Sequence, residues 1–269
     1  MSSTSSELRA EFSGTSRLQH ERQRQIYVLA LKHGAVDVSD LARRFDVTTE
    51  TIRRDLSDMQ TRDLVRRVHG GAVPIETHHH EPNVDARDMQ NAIEKAAIAN
   101  EALKEIPEKG SVILDSGSTT HYLAEVFHVD RDVHVVTNSL VSALTLARRG
   151  LKELSVPGGG IRTDTLAMVD THTVDAIRLM RVDVLFLSCD GLSYTRGLTT
   201  PYRHEWALKR AMIESARKIV ALVDQSKFGN DQMFSHAGLR EIDVLITDHR
   251  VDDDTVGVLS EHGIDVRRA

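Results

Sequence analysis

Asp115-Ser-Gly-Ser-Thr-Thr120 gathers a carboxylate, a glycine and four hydroxyls into six residues. An apolar, strand-like run over 111–115 precedes it and a helical pattern over 119–128 follows. At such a turn the N–H groups and hydroxyls of Ser116, Gly117, Ser118, Thr119 and Thr120 face outward from a helix N-terminus, which makes an anion cradle. The same composition also serves simply as a helix cap, and spacing alone does not separate the two. The loop lacks the lysine of a P-loop and is not the dinucleotide G-x-G-x-x-G pattern. Other polar groups follow other apolar runs: Asn138 in Thr-Asn-Ser, Gly159 in Gly-Gly-Gly, Asp190 before Gly191, and Lys227 in Asp-Gln-Ser-Lys. A phosphate would be repelled by Asp115 and Asp190, which are therefore assigned to ligand hydroxyls. Lys209 and Lys227, with Arg162 behind them, are the candidate cations; each lysine is alternatively an ordinary surface residue. Cys189 reads as a buried strand residue rather than a nucleophile, because no histidine partner is evident.

A second constellation lies near the N-terminus. Thr48 can cap a helix on which Ile52, Leu56 and Met59 fall within 60° of one another at 100° per residue. Glu50, Arg54 and Ser57 then project from the far side, with Arg53 at the flank. Arginine and hydroxyl groups on an outer helix face suit the major groove, where arginine bonds guanine edges bidentately. Thr48, Thr49 and Thr51 sit where hydroxyls and free amides can hold a backbone phosphate. Arg66, Arg67 and His69 follow on a β-type segment closed by Gly70-Gly71. Taken alone, Arg53 and Arg54 also read as a solvated face shared with Glu50, Asp55 and Asp58.

The elements that must position these residues divide near residue 80. Before it, Ile26, Leu29 and Ala30 recur at helical spacing and Gly34 stops the helix. Ser39 can cap a short helix bearing Leu41, Ala42 and Phe45, and only Asp46 and Val47 separate it from the Thr48 cap. Three short helices, a tight turn and a strand-like appendage describe a winged helix-turn-helix over 17–74. The first 16 residues are expected to be disordered. A polar linker is expected over 75–90; its His78, His79 and His80 splay around the backbone, so a solvated hinge is favoured over a metal site. From 91 to 269, apolar segments at 111–115, 133–137, 153–156, 182–189, 219–223 and 243–247 alternate with helical ones. That alternation predicts an α/β domain with a mostly parallel sheet and ligands at the carboxyl ends of its strands.

Charge is divided along the same line. The chain carries −6 overall, but residues 1–75 hold 12 Lys and Arg against 10 Asp and Glu, leaving −8 for the remainder. A weakly basic head on an acidic body fits a polyanion partner for the head. One cysteine in 269 residues excludes an internal disulfide and a cysteine-rich metal module. No apolar run is long enough to span a bilayer, and the polar first residues lack an apolar signal core, so a cytoplasmic location is expected.

Several of these segments are familiar. Glu21-Arg22, Ile26, Gly34, Val38-Ser-Asp-Leu-Ala42, Phe45-Asp-Val-Thr48, Thr51-Ile-Arg-Arg-Asp-Leu56 and Arg67-Val-His-Gly-Gly-Ala72 together resemble the DeoR family of bacterial transcription regulators over about 20–75. Asp63 stands where that family usually has glycine, and aspartate tolerates the left-handed geometry the turn requires. Leu114-Asp-Ser-Gly-Ser-Thr-Thr120, Val136-Thr-Asn-Ser-Leu140, Gly197-Leu-Thr-Thr200, Asp224-Gln-Ser-Lys-Phe-Gly229 and Ile246-Thr-Asp248 are similar to the family's effector domain, which is related to ribose-5-phosphate isomerase. The resemblance implies that the 116–120 loop takes a sugar's phosphate and that the Asn138, Gly159 and Asp190 neighbourhoods take the sugar. Asp170 replaces a common glycine, which is expected to narrow or re-aim the pocket.

The expectation is a DNA-binding repressor of sugar-metabolism genes, released by a phosphorylated sugar. It is expected to need no cofactor or metal and to bind a repeated double-stranded operator as a homodimer or larger oligomer, since one small helix supplies few contacts. Ligand binding is expected to change the spacing of the paired heads through the linker. Two rivals remain: an isomerase-like enzyme, disfavoured because the second acidic residue and the lysine-plus-glycine run of such isomerases are missing around Asp190, and a DNA-binding protein whose body only oligomerises.

Overall fold

The computed structural model describes residues 18–19, 21–75 and 84–269, with the backbone alone at 84–86. The expected tail at 1–16 and most of the expected linker, His78 to His80 included, lie outside the described residues. The chain parts into two compact units between Gln90 and Asn91. At its far end the expected linker is instead helical, and the Met89 side chain is buried in the core of the first unit.

In the first unit, helix α1 (21–33) ends at Gly34, whose φ is +74°. Strand β1 (Val36–Asp37) leads into α2 (Val38–Phe45), and α3 (Thr49–Thr61) follows after a tight turn. Asp37, not Ser39, caps α2: its carboxylate accepts from the amides of Ser39 (2.7 Å) and Asp40 (3.1 Å). The cap therefore falls one residue before the helix, as the N-cap geometry requires. Asp46 takes the left-handed conformation at the turn, and Thr48 caps α3 by accepting from the Thr51 amide at 3.1 Å. Helix α3 closes in a Schellman arrangement, with Asp63 at φ +52° and the Leu64 amide donating to the Met59 carbonyl. Asp63 thus performs the turn in place of glycine. Ile26, Ile52, Leu56, Met59 and Leu64 are wholly buried together. Strands β2 (Val65–Val68) and β3 (Gly71–Pro74) form an antiparallel hairpin turning at His69-Gly70, and β1 pairs with β3 on its other side. A Cβ at Gly71 would stand 1.9 Å from the Val36 carbonyl oxygen, so only glycine lets β1 join this wing.

The second unit opens with α5 (Ala92–Ala102), since α4 (Val84–Met89) belongs to the first. There follow β4 (Lys109–Leu114), α6 (Ser118–Val126), β5 (Asp132–Thr137), α7 (Leu140–Arg148), β6 (Leu154–Ser155), β7 (Ile161–Arg162), β8 (Ala167–Met168), α8 (Thr171–Arg178) and β9 (Val182–Leu187). The chain continues through β10 (Gly191–Ser193), β11 (Gly197–Thr200), α9 (Arg203–Ser215), β12 (Ala216–Leu222), β13 (Phe234–Ala237), β14 (Val244–Thr247), α10 (Asp253–Ser260) and β15 (Asp265–Arg268). Seven strands form one parallel sheet in the order β15-β14-β12-β9-β4-β5-β6.

Alternation along the strands builds two cores. Val112, Leu114, Val184, Phe186, Val220 and Leu222 face α5, α6 and α7, whereas Ile113, Leu185, Leu187, Ile219 and Ala221 face α8 and α9. Every expected strand is present. The β7–β8 ribbon, the small antiparallel sheet β10-β11-β13 and the edge strand β15 were not anticipated. The order reverses between β4 and β9: β4 is followed outward by β5 and β6, and β9 outward in the opposite direction by β12 and β14. In open parallel sheets this switch point opens a crevice at the carboxyl ends of the strands.

Candidate functional site

Helix α3 holds its inner face with Ile52, Leu56 and Met59 and leaves Glu50, Arg53, Arg54 and Ser57 exposed. Asp55 departs from the expected solvated face. It is buried and accepts from Arg22 at 2.6 Å and from Gln23 at 3.2 Å, which ties α3 to α1. Arg53 leans on Glu50 at 3.5 Å, an exposed pair of small energetic weight. Arg54, Arg66, Arg67 and His69 are exposed, and their side chains make no hydrogen bond or ion pair with another described residue. Thr48 and Thr51 are partly spent on the cap, their hydroxyls 2.9 Å apart, while the amides of Thr49 and Glu50 bond nothing else described. The unit therefore presents free guanidinium groups on one helix face and on a β-wing, the arrangement that inserts a helix into a major groove.

In the second unit the switch point gathers most of the expected ligand residues. The amides of Ser116, Gly117, Ser118 and Thr119 donate to no described residue, and neither do the hydroxyls of Ser118 and Thr119. Gly117 is fixed by close approach: a Cβ there would stand 2.6 Å from the Ser188 hydroxyl at the end of β9. Thr120 is a structural member, because its hydroxyl donates to the carbonyls of Asp115 (2.7 Å) and Gly117 (2.9 Å). Asn138, wholly buried at the end of β5, donates to the Ser116 hydroxyl at 3.0 Å and to the Met168 carbonyl at 3.2 Å.

Asp115 and Lys209 correct the sequence-based assignment. Lys209 is no surface lysine: it is buried, and its ammonium pairs with Asp115 Oδ2 and donates to the Ser188 carbonyl at 3.1 Å. Asp115 Oδ2 also accepts from the Ser188 amide (3.0 Å) and hydroxyl (2.7 Å). Burial opposes the charge on Lys209, and the carboxylates of Asp115 and Glu205 more than offset it, holding the ammonium above its ordinary pKa. With its charge cancelled internally, Lys209 is not the cation that reverses the field of the acidic unit. Lys227 is that candidate: it is half-buried after β12 and its ammonium has no partner among the described residues. Arg162 is bound to Glu205 and lies 4.2 Å over the Tyr202 ring.

Gly158 to Gly160 are pinned by Asp170, which accepts from the Gly160 amide at 2.7 Å and caps α8 through the Thr173 amide at 3.0 Å. A Cβ at Gly159 would stand 2.3 Å from Asp170 Oδ1, so the aspartate orders this loop. Asp190 is half-buried just after β9, consistent with a place at the mouth of the crevice. Burial pushes the Cys189 thiol up to about 12, which leaves it inert. Three groups escaped the sequence reading: Ser188, Glu205 and His236. Ser188 had a legible signal, since it follows an apolar strand directly; Glu205 and His236 had none. Among the described residues no cluster could hold a metal ion, and no helix is long and apolar enough to cross a membrane.

The geometry agrees with what the chain is similar to. A DeoR-like helix-turn-helix domain matches residues 22–78, and a DeoR C terminal sensor domain matches residues 90–249. The chain is 35% identical to the HTH-type transcriptional regulator GlpR of Haloferax volcanii, over 91% of this chain and 96% of that one. It is 31% identical to a putative aga operon transcriptional repressor of Escherichia coli O157:H7, covering 99% and 98% of the two chains. The glycerol-3-phosphate regulon repressor of Escherichia coli K12 is 30% identical, with 91% and 97% covered. A ribose 5-phosphate isomerase A from Methanocaldococcus jannaschii superposes with a TM-score of 0.39 at 18% identity, over 52% and 55% of the two chains. With a sensor-domain match over more than half its length and full-length relatives above 30% identity, the chain belongs to the DeoR family of helix-turn-helix transcriptional regulators.

Proposed function

We propose that the protein represses genes of sugar metabolism and that a phosphorylated sugar at the switch-point crevice governs its grip on DNA. The observation that carries the ligand half is the row of unbonded amides from Ser116 to Thr119 at the start of α6, with the Lys227 ammonium, unpaired among the described residues, following β12. Free amides and one cation can neutralise a phosphate that the acidic unit otherwise repels. Asn138, Gly159 and Asp190 surround the sugar, and Asp115 contributes through its second oxygen. The DNA half rests on Arg54 and Ser57 as base-reading groups, flanked by Arg53, Thr49 and the wing residues Arg66, Arg67 and His69. Relatives described as a glycerol-3-phosphate regulon repressor and a putative aga operon transcriptional repressor support the repressor half of this reading. The protein acts as a homodimer or larger oligomer on a repeated operator, because one recognition helix buries too little surface for useful specificity.

A thermal-shift screen of phosphorylated sugars on the full chain, followed by operator binding with the hit, tests this directly. Ser118→Glu sets a negative charge in the cradle and should abolish the response to the hit while leaving operator affinity intact. Operator binding that stays constant across the whole panel would refute ligand control. Turnover of ribose 5-phosphate would instead favour an enzyme.

A further inference from the structure

His236 lies on β13, in the small sheet β10-β11-β13, and the protein does not use it in any contact described so far. Its side chain has no exposed surface, and neither ring nitrogen has a hydrogen-bond partner of ordinary geometry, the Ser188 backbone being the polar group set beside the ring. Burial first, then the charges of Lys209 and Arg210, hold the imidazole neutral, well below its ordinary pKa. The pairing of β11 with β13 slips here, from Leu198 opposite Ala237 to Thr199 opposite Ser235, so His236 is the extra residue of a β-bulge. Bulges re-aim side chains beside functional sites. This one turns His236 inward toward Ser188 and Lys209, the two groups that hold Asp115.

Two further buried atoms share its condition. Asp115 Oδ1 and Asn138 Oδ1 also lack partners, although the other polar atom of each side chain is fully engaged. Three orphaned groups, from the ends of β4 and β5 and from β13, thus converge on the switch point. Leaving buried polar groups unpaired costs free energy, and such groups call for a polar partner. A neutral imidazole offers one donor and one acceptor, which matches a hydroxyl.

Resting on the sugar-phosphate reading above, we propose that His236 contacts the ligand directly and reads a hydroxyl at the end of the sugar furthest from its phosphate. The phosphate end lies at the α6 amides. His236 meets the other end beside Ser188 and Lys209, the groups that hold Asp115. The bulged strand must shift for the ligand to reach the ring.

The test titrates the full chain with inorganic phosphate, sn-glycerol 3-phosphate, ribose 5-phosphate and fructose 6-phosphate. The tightest of the sugar phosphates is then compared with its deoxy analogue lacking the hydroxyl furthest from the phosphate. The wild-type chain should prefer the parent by roughly tenfold or more. His236→Phe should erase that preference, leave the affinity for inorganic phosphate unchanged, and melt no lower without ligand, because it removes an orphaned group. Equal weakening of phosphate and sugar phosphate, or an intact preference, overturns the proposal. Should His236→Phe not fold, the imidazole nitrogen resonances of the wild-type chain decide. They should move with the sugar phosphate and not with phosphate alone; resonances indifferent to both overturn it. If no sugar phosphate binds the wild-type chain at all, the sugar-phosphate reading fails and this inference falls with it. Loss of binding in Ser118→Glu alongside an unaffected His236→Phe would retain that reading and remove His236 alone.

Discussion

The two units handle charge in opposite ways. On α3 and the wing, Arg54, Arg66 and Arg67 stand in solvent with no described partner. At the strand ends of the second unit, Arg162, Glu205, Lys209 and Asp115 alternate in sign, are largely shielded from solvent, and are joined in pairs. The contrast follows from the ligands. A duplex is a long polyanion whose binding gains from counterion release, so free cations on a surface are effective. A small metabolite must be enclosed, and enclosed charges have to be cancelled before the ligand arrives. On the reading proposed above, what remains for the ligand is a set of amides, hydroxyls and one ammonium.

The sharpest way to break this contrast is to uncancel a charge. Asp115→Ala would strand the Lys209 ammonium inside the second unit and should cost on the order of 3–5 kcal/mol, seen as loss of that unit's unfolding transition at lower denaturant. Asp115→Ala combined with Lys209→Met should recover most of that stability. If the single variant unfolds like the wild type, the pair is not a buried, mutually dependent one.

Acid should act next, again on the second unit. Burial lowers the His121 pKa to about 4, so the folded state keeps the ring neutral where the unfolded chain, near 6.5, takes up a proton. The unfolded state therefore binds more protons between those values, and the His121 share of stability, about 3 kcal/mol, is full above about pH 6.5 and declines toward pH 4; buried His236 adds to the loss in the same direction. His121→Gln should flatten that decline. An unchanged acid profile in the variant would assign the loss to other groups.

The exposed face calls for smaller and cleaner effects. Arg54→Ala should weaken specific operator binding by roughly 1–3 kcal/mol and relax the base preference at one position, with the melting temperature unchanged. Unaltered affinity would remove Arg54 from the reading face. Arg66→Ala should have the least effect: a nearly uniform weakening across sequences and a fall of about one in the salt slope of binding. A variant that instead changed base preference would make the wing a reader rather than an anchor.

Much of this was legible from residue order. The α3 stripe of Ile52, Leu56 and Met59, the left-handed Asp63 and the strand-turn-helix at Asp115 to Thr120 are local features, set by periodicity and by turn chemistry within a few residues. The cap on α2 was misplaced by two residues because Asp37 and Ser39 are both good caps. Only the chain's path through β1 makes Asp37 the one outside the helix. Likewise Asp55 looked like a surface charge until α1 brought Arg22 and Gln23 against it.

By itself the sequence determined the two units, the helical and strand periods and the hydroxyl-rich turn, because hydrophobic repeat and backbone preference act over short spans. The partners of the charges were decided only by tertiary structure. Asp115 and Lys209 lie 94 residues apart and meet because β4 and β9 are neighbours at the reversal of strand order, with α9 packed over them. His236 is turned inward by a slip in register that neither strand shows alone. Electrostatic pairing depends on distance in space and on exclusion of water, and folding sets both.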